Sequence, residues 1–141
     1  MKKLSVSLAM LALVLAVGLA FVGCKSEVED DPLNGTYAFG NGKFILNNGK
    51  WNMEGIADLD MRGTYETNED TITFTTTDIY IPQEFAAEAN TTAGWKNKSQ
   101  FTEIAKGWGG TDDDINGMFA PFTGTYSGNT LWMWGTSFIR Q

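Results

Sequence analysis

The sequence predicts an all-β fold, a small antiparallel meander barrel of about seven or eight strands with a short helical insertion, which follows an N-terminal targeting segment. The first observation is that clusters of Gly, Asn and Asp recur about every ten residues through much of the chain after residue 33. The second is that the runs between them are rich in Thr, Tyr, Phe, Trp and Ile, which favour strands. The turn clusters are Asn41-Gly42, Asn47-Asn48-Gly49, Asn68-Glu69-Asp70, Ser127-Gly128-Asn129 and Gly135-Thr136.

Apolar and polar residues alternate along the predicted strands, as they do in strands with one buried face. Ile72 and Phe74 share one parity, whereas Ile79 and Ile81 share the other. A β-bulge within residues 76–78 would turn all four side chains to the same side, because a bulge adds one residue to one strand of a pair.

The tripeptide Gly-Thr-Tyr occurs three times, at Gly35-Thr36-Tyr37, Gly63-Thr64-Tyr65 and Gly124-Thr125-Tyr126. Glycine permits a sharp bend in a strand, and a small closed barrel needs such corners. We therefore expect each tripeptide to form a corner whose tyrosine points into the barrel.

Residues 82–110 interrupt the strand pattern and predict a helical insertion. Pro82 ends a strand, residues 83–89 favour a helix, and residues 99–106 favour a second helix with Ser99 as its N-cap. We expect this insertion to cover one mouth of the barrel or to pack against its outer wall.

The N-terminus has the features of a secretory signal. Lys2 and Lys3 precede residues 8–22, a run of 15 apolar or glycine residues that is shorter than the roughly 20 needed to span a bilayer. The run ends at Gly23-Cys24, and a polar, acidic stretch follows. The single cysteine of the chain therefore lies directly after the signal.

This arrangement resembles the lipobox of bacterial lipoproteins, in which glycine or alanine precedes the lipidated cysteine. The resemblance implies a lipoprotein signal peptide at residues 1–23, a lipidated N-terminus and tether at 24–32, and a barrel domain at 33–141. It implies diacylglycerol and a further acyl chain, such as palmitate, on Cys24. It also implies a location in the bacterial cell envelope, anchored to the outer membrane on its periplasmic or surface face. The alternatives are a plain secretory signal with an incidental cysteine and a retained transmembrane helix.

The chain after residue 33 resembles the small lipocalin-like lipoproteins of bacteria, within the calycin group of barrels. Lipocalins open their first strand with Gly-x-Trp, and Gly35-Thr36-Tyr37 stands at that place here. In that family an arginine of the last strand packs over this aromatic ring, which implies that Arg140 covers Tyr37 and closes one end of the barrel. Such a cation–π contact contributes about 0.5–2 kcal/mol. The alternative is a terminal arginine in solvent.

Composition excludes several classes of function. The chain has 141 residues, a formal net charge of −7, no histidine and one cysteine. Its acidity argues against nucleic-acid binding, which requires a basic surface. The absence of histidine removes the usual general base and the commonest zinc ligand. We therefore expect no enzyme, no catalytic residues and no cofactor apart from the lipid on Cys24.

One acidic motif partly matches the sequence of a metal-binding loop. Asp112, Asp114 and Asn116, followed by Gly117, fit the first half of a calcium loop, but Thr123 stands where such a loop has a bidentate glutamate. We therefore expect no bound metal, and we interpret the motif as a solvated acidic loop that ends in an Asn-Gly turn.

Five tryptophans are many for so small a domain. Trp132 and Trp134 alternate with Leu131 and Met133, so this strand is apolar on both faces. One face fills the barrel, and the other requires the insertion, a partner or a ligand to cover it. Together with Trp51, these two tryptophans are the candidate ligand-binding residues. The alternative is that all five tryptophans lie in the core or under the insertion.

These features predict a membrane-anchored, lipocalin-like barrel that binds a hydrophobic or amphipathic small molecule and whose lipid anchor enters a bilayer. The first alternative is a surface or envelope interaction protein, such as an adhesin or assembly factor, with a filled barrel and no ligand. A further one is an enzyme or inhibitor on the same scaffold. An enclosed apolar cavity of several hundred Å³ would favour the ligand, whereas a filled interior with an exposed apolar patch would favour the partner.

Overall fold

The computed structural model describes residues 31–56 and 59–141. The predicted signal peptide, Cys24 and most of the predicted tether lie outside the described residues. This part of the chain contains nine strands, each antiparallel to its neighbours. They are β1 (Gly35–Phe39), β2 (Gly42–Asn47), β3 (Lys50–Glu54), β4 (Met61–Asn68), β5 (Thr71–Ile81), β6 (Gly94–Asn97), β7 (Phe122–Ser127), β8 (Thr130–Met133) and β9 (Thr136–Arg140).

Eight of the strands in the described ranges close into a barrel. Their order around it is β1-β2-β3-β4-β5-β7-β8-β9, and β9 pairs with β1 to complete the circle. Strand β6 lies outside the barrel, because residues 78–81 of β5 extend past the part that pairs with β7 and pair with β6 instead. The prediction of an all-β antiparallel barrel with a short helical insertion is confirmed.

The two ends of the barrel are built from different segments. At one end, here called the tyrosine end, lie residues 31–34, the C-terminus and the turns after β2, β4 and β7. At the other end, here called the mouth, lie the turns after β1 and β8, Gly55 and Ile56 after β3, and the insertion between β5 and β7.

The predicted β-bulge is present where β4 pairs with β5. Arg62 pairs with Asp78, but the next residue, Gly63, pairs with Thr76, so that Thr77 is the additional residue. The bulge shifts the phase of the alternation along β5. For this reason the isoleucines after the bulge are buried like the apolar residues before it.

Aromatic side chains fill the barrel interior. Phe44 is fully buried, and its ring is stacked on that of Trp51 with centroids 5.3 Å apart. Phe74 meets Phe44 edge to face at 5.4 Å and stacks on Phe122 at 5.0 Å. Such pairs contribute about 0.5–1.5 kcal/mol each beyond the burial of apolar area. The centre of the barrel is therefore packed with rings.

The insertion contains three helices, α1 (Gln83–Glu88), α2 (Lys98–Gly107) and α3 (Asp112–Phe119). They cover the part of β5 that projects beyond the barrel and form a second apolar cluster there. Its buried members are Ile79, Ile81, Ala86, Phe101, Ala105, Ile115 and Phe119. The predicted limit at residue 110 was wrong, because α3 continues the helical part to residue 119 and β6 lies within the insertion.

The N-cap of α2 also differs from the expected Ser99. The Asn97 side chain accepts a hydrogen bond of 3.0 Å from the Gln100 backbone N–H, and the Gln100 side chain accepts one of 3.1 Å from the Asn97 backbone N–H. This reciprocal arrangement satisfies two backbone donors, so the helix begins one residue before Ser99.

Candidate functional site

Two open clefts adjoin each other at the mouth of the barrel, with volumes of about 300 Å³ and 290 Å³. Both are lined by Trp134, and most of their walls are apolar. The first also includes Phe39, Ile56 and Phe138. The second also includes Trp51, Met53, Met61, Met118 and Phe122.

Trp134 forms the ridge between the two clefts. It lies in the turn between β8 and β9 with φ at +51°, and 57% of its surface is exposed. One side of its ring meets Phe122 with centroids 5.0 Å apart, and Phe44 lies 6.1 Å away. The indole is therefore held against the top of the core and leaves apolar surface open to solvent.

Trp51 lies inside the barrel, on the floor of the second cleft. It is buried, and its indole N–H donates a hydrogen bond of 3.2 Å to the backbone carbonyl of Thr75. Because this buried donor has a partner, the ring has a fixed orientation.

Trp132 lies apart from the other two candidates. It points away from the interior, between the inward-facing Leu131 and Met133, and 42% of its surface is exposed. The structure thus brings Trp51 and Trp134 together at the mouth and places Trp132 on the outer wall. The alternative that all five tryptophans are core or covered was wrong, since Trp108 is also 40% exposed.

Several residues of the mouth were missed by the sequence analysis. Phe39 is 60% exposed beside the turn after β1, and Met118 is 40% exposed near the end of α3. Ile56 follows β3 and lies against the same cleft as Phe39. The sequence signal that could have identified them is an apolar residue directly beside a turn. Turns at one end of a meander lie close together, so apolar residues beside them can form a shared exposed surface.

The predicted contact between Arg140 and Tyr37 is present at the tyrosine end. The guanidinium carbon lies 5.9 Å from the centroid of the tyrosine ring. Arg140 also donates hydrogen bonds to the backbone carbonyl of Pro32, at 3.0 Å, and to that of Asn34. Arg140 therefore joins the last strand to the segment that precedes the first.

The tyrosines of the three repeated tripeptides all donate hydrogen bonds at this end. Tyr37 donates to the carbonyl of Leu33 at 3.0 Å, and Tyr126 donates to that of Glu69 at 2.8 Å. Tyr65 donates to the carboxylate of Asp31 at 2.6 Å. Asp31, which the sequence placed in a solvated tether, is therefore part of the barrel's end.

Two of these hydroxyls are difficult to ionise. Burial, reinforced by the hydrogen bond to Asp31, raises the pKa of Tyr65 far above its ordinary value of 10.0. Burial also raises the pKa of Tyr37, although the neighbouring Arg140 charge partly opposes this. Both tyrosines therefore remain neutral in the folded chain at pH values where an unfolded chain ionises them.

This difference predicts a loss of stability in alkali. The contribution of the two tyrosines is complete below about pH 10 and is lost as the pH rises towards their folded pKa values, because the unfolded chain then releases protons that the folded chain retains. We expect the urea midpoint to fall as the pH is raised above about 10. The variant Tyr65→Phe should show a smaller fall, and an equal fall in both chains would contradict the assignment.

The acidic motif of Asp112, Asp114 and Asn116 forms a helix and not the expected loop. The Asp114 carboxylate accepts hydrogen bonds from the Thr111 hydroxyl at 2.6 Å and the Thr111 backbone N–H at 3.2 Å, which lowers the pKa of Asp114. Asp112 forms an ion pair with Lys106 at 2.8 Å. The carboxylates therefore cap and flank the start of α3, which explains why three consecutive aspartates favour a helix start here.

Residues 31–56 and 59–141 are the part of the chain that the structure describes. No group of three or more His, Cys, Asp or Glu side chains in these ranges is arranged to hold a metal ion. None of the helices there is long and apolar enough to cross a bilayer. Lipidation of Cys24 stays a prediction, since Cys24 lies outside the described residues.

Comparisons of the chain with protein-family models, with curated proteins and with solved structures give no significant match. Support for the candidate site therefore comes from its geometry alone.

Proposed function

We propose that this chain is a lipid-anchored protein of the bacterial cell envelope whose barrel binds an apolar or amphipathic small molecule at its mouth, without catalysis. The observation that carries the proposal is the pair of apolar clefts that meet at the exposed ring of Trp134. Small-molecule sites are concave, largely apolar and about 300–1,000 Å³ in volume. Each cleft lies near the lower limit of that range.

The filled interior determines how such a ligand would bind. Phe44, Trp51 and Phe74 occupy the centre of the barrel, where a lipocalin-like binder with a hollow core would hold its ligand. The ligand would instead lie across the mouth, with Trp134 on one side and Phe39 or Met118 on the other. An amphipathic molecule suits this position, because its polar part can remain in water.

A fluorescent apolar probe, anilinonaphthalene sulfonate, tests the mouth. In a soluble chain that begins at Lys25, Trp134→Ala should weaken binding about tenfold, because a buried aromatic contact worth about 1.4 kcal/mol is lost. The matched control is Trp132→Ala, which removes a ring that is 42% exposed from the outer wall and should change affinity less than twofold. Equal affinity in all three chains would refute binding at the mouth.

The lipid anchor has its own test. When the full chain is expressed in a bacterial host with radiolabelled palmitate, we expect the label to be incorporated and Cys24→Ala to abolish incorporation, because no other thiol is available. The matched control Gly23→Ala should retain the label, since alanine is accepted before a lipidated cysteine in the family that this segment resembles. Label on the Cys24→Ala chain, or none on the parent, would contradict the anchor.

A protein partner is the second candidate, favoured by the filled interior, which is the feature expected of that alternative, and by apolar residues on the outer wall. Trp132 of β8 and Ile139 of β9 both point outward on neighbouring strands, and they are 42% and 47% exposed. In the probe experiment, a loss of binding with Trp132→Ala and none with Trp134→Ala would favour this wall over the mouth.

A further inference from the structure

A further open cleft lies on the outer wall, separate from the mouth. Its volume is about 600 Å³, and it runs over the outward faces of β3, β4 and β5 towards β6. Six of its nine lining residues carry polar side chains, although most of the surface that lines it is apolar, as at the mouth. The lining includes Lys50, Asn52, Arg62, Thr64, Asp78 and Trp95.

Arg62 and Trp95 form one fixed side of this outer cleft. The Arg62 Nε donates to the Asp78 carboxylate at 3.2 Å, and its guanidinium carbon lies 4.3 Å from the centroid of the Trp95 ring. Tyr80 packs against the same ring at 5.4 Å, edge to face. The indole is thus held on two sides before any ligand arrives, which reduces the entropy lost on binding.

Asn52 contributes an acceptor that lacks a partner. Its side-chain N–H₂ donates to the Glu54 carboxylate at 2.7 Å, which leaves the amide oxygen to accept. That oxygen is buried and has no hydrogen-bond partner in the described structure. A buried acceptor without a donor costs free energy, and rotation of the amide towards the cleft would let a ligand hydroxyl supply the donor.

We propose that this outer cleft binds a neutral saccharide. The cleft offers both donors, on Lys50 and Arg62, and acceptors, on Asn52 and Asp78, and sugar hydroxyls require both. The apolar C–H faces of a sugar ring pack on aromatic rings, and the part of the half-buried Trp95 indole that Arg62 and Tyr80 leave exposed supplies such a surface. The Arg62–Asp78 pair compensates its own charges, which leaves Lys50 as the single excess charge of the lining. The chain as a whole carries a net charge of −7, so a polyanion is disfavoured.

Calorimetric titration of the full chain, in a detergent without a sugar head group, tests this proposal with chitotetraose, cellotetraose and maltotetraose. We expect at least one to bind, Trp95→Ala and Asn52→Ala each to reduce its affinity at least tenfold, and Trp132→Ala to leave it unchanged. Trp134→Ala should also leave it unchanged, which separates this site from the mouth.

A second variant covers the case in which Trp95→Ala fails to fold. Thr64 is exposed and lines the cleft, so Thr64→Trp should fill the cleft and block binding while the strands remain paired. Binding of none of the three tetrasaccharides, or equal binding by the parent and Thr64→Trp, would overturn the proposal. If the acidic tetragalacturonate bound more tightly than the neutral tetrasaccharides, and if salt weakened its binding, the proposal of a neutral ligand would be overturned.

Discussion

Replacement of Gly63 by alanine should lower the free energy of unfolding by about 3 kcal/mol or more, at the upper end of the range for overpacking. A Cβ atom at this position would lie 1.8 Å from the carbonyl oxygen of Thr75 and 2.8 Å from the indole nitrogen of Trp51. The first of these atoms belongs to the backbone, so β4 and β5 would have to separate. The same shift would break the hydrogen bond from Trp51 to Thr75.

Urea unfolding of the soluble chain, followed by circular dichroism, measures this effect. The matched control is Gly117→Ala, because Gly117 lies in α3 and a Cβ there would meet no atom within 4 Å. Alanine at that helical position should stabilise the chain by about 0.5–1 kcal/mol. Equal stabilities for the two variants would mean that β4 and β5 do not approach as described.

Replacement of Phe44 by alanine should cost about 3–5 kcal/mol, the usual range for a fully buried phenylalanine. Phe44 contacts rings from several directions, including those of Trp51, Phe74 and Phe138, so no single neighbour can move to fill the space. In a domain whose whole stability is about 5–15 kcal/mol, such a loss leaves a large unfolded fraction.

The matched control for Phe44 is Phe39→Ala, which removes the same ring from the same hairpin. Phe39 is 60% exposed, and among the described residues its ring meets one other aromatic ring, that of Phe138, at 6.0 Å. We expect a cost below about 1 kcal/mol. A cost at Phe39 that matches the cost at Phe44 would contradict the filled interior.

The sequence predicted those features of the fold that depend on local residue pattern. Turn clusters and alternation predicted the antiparallel strands, and the change of phase between Phe74 and Ile79 predicted the bulge that the pairing of Gly63 with Thr76 confirms. These signals are strong because a strand has a period of two, so a single extra residue reverses every later side chain.

The acidic stretch of α3 shows where local pattern misleads. Asp112, Asp114 and Asn116 suit loops and calcium ligands as well as they suit the first turn of a helix. The helix is favoured because the Thr111 hydroxyl oxygen accepts a hydrogen bond from the Asp114 backbone N–H and so caps its first turn. It is also favoured because Ile115 and Phe119 pack in the apolar cluster on β5. Burial of those two side chains depends on contacts distant in sequence, which alternation along one segment does not predict.

By itself, the sequence determined the strand class, the turns and the bulge. The contact between Tyr37 and Arg140 was predicted from the resemblance of the sequence to a known family. Tertiary structure alone decided that the interior is filled, that Trp51 and Trp134 share the mouth while Trp132 lies outside, and that Arg62, Asn52 and Trp95 share one cleft. The physical reason is that residue pattern fixes which face of a strand is buried, whereas a site forms where strands distant in sequence end or cross. The closure of the barrel sets those positions.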